Sequence, residues 1–164
     1  MLKILIVSIP ILFVLGSILH FAYDFTNKNK LVGLLTPVNE SIFEHSKLLL
    51  FPLILFWTTL YFFVNENVSV NGYFLAMLIS IVSSIIVMIA FYYTYEGILG
   101  HNYLLIDIFD LLFSLITGQI VANHFYTYCN SFPYYLSITI QFSFILYQIN
   151  KNEKRKSKKN VYFL

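Results

Sequence analysis

Four histidines and eight carboxylates are the residues of this chain best suited to chemistry, and their spacing is uneven. His20 and Asp24 are four residues apart, so a helix presents both on one face. Glu44 and His45 follow in the segment TPVNESIFEHSK, and His101 precedes Asp107 and Asp110, which are three apart and again share a helical face. Imidazole and carboxylate groups that converge can hold zinc or another divalent metal, which turns a bound water into a nucleophile. On that chemistry His20, Asp24, His45 and His101 are the candidate metal ligands. Glu44, Asp107 and Asp110 are the candidate catalytic groups, with Glu44 as general base. No HExxH or comparably tight metal motif accompanies them. The same side chains also fit a second chemistry, in which Asp107, Asp110, Glu44 and His20 relay a proton or cation. A third reading is structural: His20 and Asp24 fix a helix end, Glu44 caps a helix, and the two aspartates bond Tyr92, Tyr95 or His45 across a bundle.

The elements that must position these groups follow from composition. In 164 residues, 59% are hydrophobic, 19% aromatic and only 11% charged, and the mean hydropathy is +0.75, well above that of a soluble domain. A bilayer core about 30 Å thick requires about 20 mainly apolar residues per helical span. Spans are predicted over 2–23, 47–64, 73–93, 103–125 and 132–149, the last being the shortest. Backbone groups cannot go unpaired in lipid and no segment alternates like a barrel strand, so the predicted fold is all-α: a polytopic transmembrane bundle of about five spans over 1–150. The first span runs on through His20 to Asp24 with no small-x-small cleavage site and is read as retained. Pro10 and Pro52 fall inside spans and kinks are expected there. The single cysteine, Cys129, excludes a disulfide framework within one chain and any multi-thiolate metal cluster.

Span order then gathers the polar residues. The end of span one, the start of span two, the end of span three and the start of span four share one membrane face, whichever way the protein is inserted. That face receives His20, Asp24, Glu40, Glu44, His45, Tyr92, Tyr93, Tyr95, Glu96, His101, Asp107 and Asp110, leaving out only Glu66 and Glu153 among the carboxylates. Asp110 lies about 10 Å below the interface, so it is expected to face the bundle interior and to have a partner or stay protonated. Its face continues through Ser114, Thr117, Gly118 and Val121, which permit close helix packing. His124 lies toward the opposite end and reads as part of an aromatic belt.

Residues 151–160 carry a net charge of +5 and the remainder of the chain −3. Residues 151–164 are therefore read as a basic tail attracted to anionic lipid headgroups, with the bilayer as the main partner and no nucleic acid. Placing this tail in the cytoplasm puts Lys28, Lys30 and Lys47 there too and leaves only Lys3 outside. The amino terminus then faces out and the carboxyl terminus in.

Two helix starts compete in TPVNESIFEHSK. Thr36-Pro37 is an N-cap followed by proline at the first helical position, which would align Glu40, Glu44 and Lys47 in one stripe. Ser41-x-x-Glu44 is a capping box, which would make Glu44 chiefly a cap. LHFAYD at 19–24, TPVNESIFEHSKLLLFP at 36–52, FYYTYEGILG at 91–100 and the IDIFD acidic pair at 106–110 together resemble an uncharacterised family of small polytopic bacterial membrane proteins, known as a domain of unknown function. The resemblance spans nearly the whole chain, with the NES-x-x-EH block its most specific part, and it implies a bacterial multi-span protein while supplying no activity. The function expected from the residues is a metal-assisted hydrolase of a lipid or amphiphile acting at the cytoplasmic membrane face. The alternatives are a small transporter or proton/cation pathway and a non-catalytic membrane scaffold subunit.

Overall fold

The computed structural model describes residues 1–39, 41–63, 69–101, 103–129 and 133–161, with side chains in the last helix described through Lys151. The side chains of Glu40, Glu66 and Glu153 lie outside this set. Among the described residues the chain is helical, without strands: α1 (Leu2–Phe25), two single-turn helices α2 (Val32–Leu35) and α3 (Ile42–His45), then α4 (Lys47–Phe63), α5 (Val70–Leu99), α6 (Leu104–Tyr128) and α7 (Tyr134–Val161). α1, the stretch Ile42–Phe63, α5 and α6 are each long and apolar enough to cross a bilayer. In α7 only Tyr134 to Asn150 precede the basic run, fewer than the roughly 20 residues that a span requires. Its contacts nonetheless run the length of the bundle. The Tyr134 amide donates to Asn71 Oδ1 at the start of α5 (3.2 Å), and Gln148 Nε2 donates to Ser46 Oγ at the start of α4 (3.0 Å).

Short connections turn the chain back between α4, α5, α6 and α7, whereas α2 and α3 fill the longer one between α1 and α4. α5 and α6 share the most extensive interface, α1 packs on both α4 and α6, and α7 packs on α5. Burying apolar side chains against lipid-like neighbours gives little driving force in a membrane, so close packing and interior hydrogen bonds must hold the helices together. Gly118 shows the first device. A Cβ there would overlap Ser84 Oγ and sit 2.8 Å from the Ser80 carbonyl, so only glycine lets α5 and α6 approach this closely. Gln119 shows the second: its Nε2 donates to Ser8 Oγ on α1 (3.2 Å) and its Oε1 accepts from Ser80 Oγ on α5 (3.4 Å). The amide thus ties three helices together in the middle of the bundle.

α5 begins at Ser69, whose Oγ accepts from the Gly72 amide (3.3 Å), and stops at Gly100, which takes φ 75° and donates its amide to the Glu96 carbonyl (2.8 Å). It therefore runs six residues beyond the span expected to end at Tyr93. This extra length carries Tyr95 to the start of α6.

The contest in TPVNESIFEHSK goes to the second start. Thr36 is extended (φ −118°, ψ 158°), as the residue before proline prefers, and its hydroxyl bonds back to the Val32 carbonyl at 2.9 Å, so it closes α2. α3 starts after Ser41, whose side chain makes no capping bond among the described residues.

Candidate functional site

The four helix ends that span order assigns to one face do meet. His20, in the last turns of α1, and His45, at the end of α3, bring their Nε2 atoms to 3.2 Å, with ring centroids 5.0 Å apart. His45 Nδ1 also lies 3.2 Å from the Ser41 carbonyl, which can only accept, so this bond places the His45 proton on Nδ1. A neutral His45 then accepts at Nε2, and His20 is the donor across the pair.

His45 further lines a cavity of ≈ 240 Å³ together with Ile42, Met88, Tyr92, Leu104, Asp107 and Asp110. This volume holds several waters. Asp107 accepts from the hydroxyl of Tyr95 through Oδ1, and Asp110, 2% exposed, accepts from Ser114 Oγ at 3.1 Å. α6 presents both aspartates to the cavity because they are three residues apart, and α5 reaches them because it does not end before Leu99. Asp110 thus faces the interior with a partner, and of the three residues weighed as partners for the aspartates, Tyr92, Tyr95 and His45, it is Tyr95 that bonds Asp107.

Glu44 belongs to a separate cluster. Its Oε2 pairs with Lys47 Nζ at 2.7 Å, with the two side chains 1% and 0% exposed. Lys47 Nζ also donates to the carbonyls of Gly33 (3.2 Å) and Thr36 (3.3 Å), and Glu44 Oε2 accepts from the Val38 amide at 3.4 Å. The pair ties the segment before α3 to the start of α4. Glu44 reaches back toward the preceding backbone as a capping glutamate does, yet its short contact is the lysine. Among the residues that sequence reasoning undervalued, Lys47 is foremost, since it entered as an orientation charge and a stripe member. The signal was present in its position three residues after Glu44 at the head of an apolar span.

Asp24 and His101 stand apart. Asp24 follows His20 by one turn, but that turn carries it past the end of the bundle, where it is exposed. His101 sits in the exposed turn between α5 and α6, with its Nε2 at 2.5 Å from the Tyr103 hydroxyl. Of the four candidate metal ligands, then, His20 and His45 are brought together and the other two are not. Among the described residues no three His, Cys, Asp or Glu side chains are grouped so as to hold a metal ion. His124 is exposed against the Phe125 and Tyr128 rings, as expected for a belt residue.

Comparison with known proteins adds a family and no activity. The chain belongs to a family of unknown function, DUF6512, whose profile matches residues 1–152. No curated protein and no solved structure matches it.

Proposed function

We propose that this DUF6512 chain is a small membrane transporter or proton/cation pathway, and that the cavity beside His45 is its opening toward the cytoplasm. One observation carries this reading: His45, Tyr92, Asp107 and Asp110, from three different helices, share one cavity of ≈ 240 Å³ at the end of the bundle. Ionisable groups inside a membrane are expensive, and a fold retains them where they face an interior path. The metal-assisted hydrolase draws less support, because it calls on Asp24 and His101, which are exposed, and on Glu44, which is engaged by Lys47. In the pathway reading His20 and His45 stand at the mouth, Asp107 lies beside them, and Asp110 is the deepest carboxylate.

The Lys distribution supports an amino terminus outside and a basic end in the cytoplasm, and a bacterial cell membrane is what the sequence resemblance implies. A reporter fused after Leu164 is expected to report cytoplasm, and an exterior signal would invert the assignment.

Asp110→Asn keeps the shape of the side chain and removes its charge. Reconstituted in liposomes, the wild type should dissipate an imposed proton or cation gradient and the Asn variant should not, with both proteins folded. Wild-type flux in the Asn variant would overturn the reading, and stoichiometric metal in the purified protein would return the hydrolase to the lead.

A further inference from the structure

α7 joins the membrane surface to the histidine pair. Its basic run begins at Lys151, and the helix continues unbroken to Val161. Because the Asn71 contact fixes its start at one end of the bundle and the Ser46 contact its later turns at the other, the run emerges at the end that holds His20, His45 and the cavity. There α7 grips the α3 segment on both sides of His45. Gln148 Nε2 donates to Ser46 Oγ, which in turn donates to the Phe43 carbonyl at 2.8 Å. Lys151 Nζ lies over the Phe43 ring, 4.1 Å from its centroid. Phe43 and Ser46 flank Glu44 and His45, so α7 touches both ends of the turn that aims His45 at His20.

We propose that the basic end of α7 binds the anionic lipid surface and that this binding is transmitted through Lys151 and Gln148 to His45. The proposal rests on reading His45 as part of the functional site. The partner is a lipid surface because of where the run lies. Up to Asn150 the outward face of α7 is apolar, with Tyr135, Ile138, Phe142 and Leu146 exposed, so the following cations start at headgroup level. They are Lys151, Lys154, Arg155, Lys156, Lys158 and Lys159, with Glu153 the single acid among them. A helical run of this length extends about 15 Å, roughly two screening lengths at physiological salt, so its first turns lie within the field of a charged leaflet. The lever carries the signal because Gln148 is nearly fully buried and its hydrogen bond bridges α7 to the junction of α3 and α4. A flexible tail would attract the same lipids without moving anything.

The test uses the full-length chain, isotope-labelled at histidine, in nanodiscs of phosphatidylcholine alone and of phosphatidylcholine mixed with phosphatidylglycerol. The ring resonances of His45, assigned by their absence in His45→Gln, should shift when the anionic lipid is included and return when salt is raised. Replacing Lys154, Arg155, Lys156, Lys158 and Lys159 with glutamine should abolish the shift, and so should Lys151→Met or Gln148→Leu. Lys28→Gln with Lys30→Gln, which removes cations assigned to the same face but not carried by α7, should preserve it. His124, at the far end of α6, serves as the folding control: in a given lipid its resonances should be the same in every variant as in the wild type. Overturning results are His45 signals indifferent to headgroup charge in the wild type, a shift that survives the Lys151 and Gln148 variants, or one lost equally in the Lys28/Lys30 variant. Because the readout is not flux, a lipid-dependent His45 in a protein that conducts nothing would sustain the lever and remove the pathway.

Discussion

At the end of the bundle where α4 begins, charged and imidazole side chains surround open space; at the end where α4 finishes, aromatic rings close on one another. Trp57 and Tyr73 are both fully buried, their rings 5.2 Å apart at 74°, and Tyr61 and Tyr126 pack against Tyr73 at 5.3 and 6.5 Å. The Tyr73 hydroxyl donates to the Trp57 carbonyl at 2.5 Å. The stability of that end comes from edge-to-face ring contacts and apolar packing, which are indifferent to salt and local charge. The other end depends on polar groups being paired one by one, and it leaves His45, Asp107 and Asp110 around a cavity. The contrast sets an end closed by packed rings against an end whose polar groups border open space, and it is the second that the proposed pathway uses.

The comparison can be broken most severely at Lys47. Lys47→Met leaves Glu44 buried without its cation and is expected to cost about 3–5 kcal/mol, read as lost thermal stability in detergent. Adding Glu44→Gln should recover much of that loss, because an apolar or neutral pair often replaces a buried ion pair at little net cost. If the single variant is as stable as the wild type, the ion pair is not what holds the segment before α3 to α4. Tyr73→Phe probes the aromatic wall more gently. It removes one hydrogen bond and keeps the ring, so a loss of about 1 kcal/mol is expected, unchanged by salt. A larger, salt-dependent loss would mean that the two ends do not differ in kind.

The helices were legible because uninterrupted apolar runs leave little choice of structure in lipid, and the expected boundaries of α1, α4 and α6 fall within a few residues of those found. The end of α5 was less so. Beyond Tyr93 the sequence turns aromatic and polar, so hydropathy fades, although Gly100 marks the stop. The gathering of polar residues at one face followed from the order of spans, because parity fixes which helix ends are neighbours. Parity says nothing of the direction in which a side chain points around its helix axis. For this reason His20 and His45, twenty-five residues apart, could be assigned a common face but not a contact, while Asp24 and His101 were grouped with them and prove exposed. Gln119 was overlooked among its apolar neighbours, and the signal was the amide itself, since a polar group at that depth needs partners.

The aromatic wall also equips the molecule with a reporter. Trp57 is the single tryptophan of the chain, it is wholly buried, and its indole nitrogen has no hydrogen-bond partner among the described residues. An indole so enclosed emits at short wavelength and is shielded from aqueous quenchers such as iodide. Its fluorescence registers the integrity of one end of the bundle alone. A ligand, ion or lipid that acts at the histidine end should leave the emission unchanged, whereas separation of α4 from α5 should move it to the red.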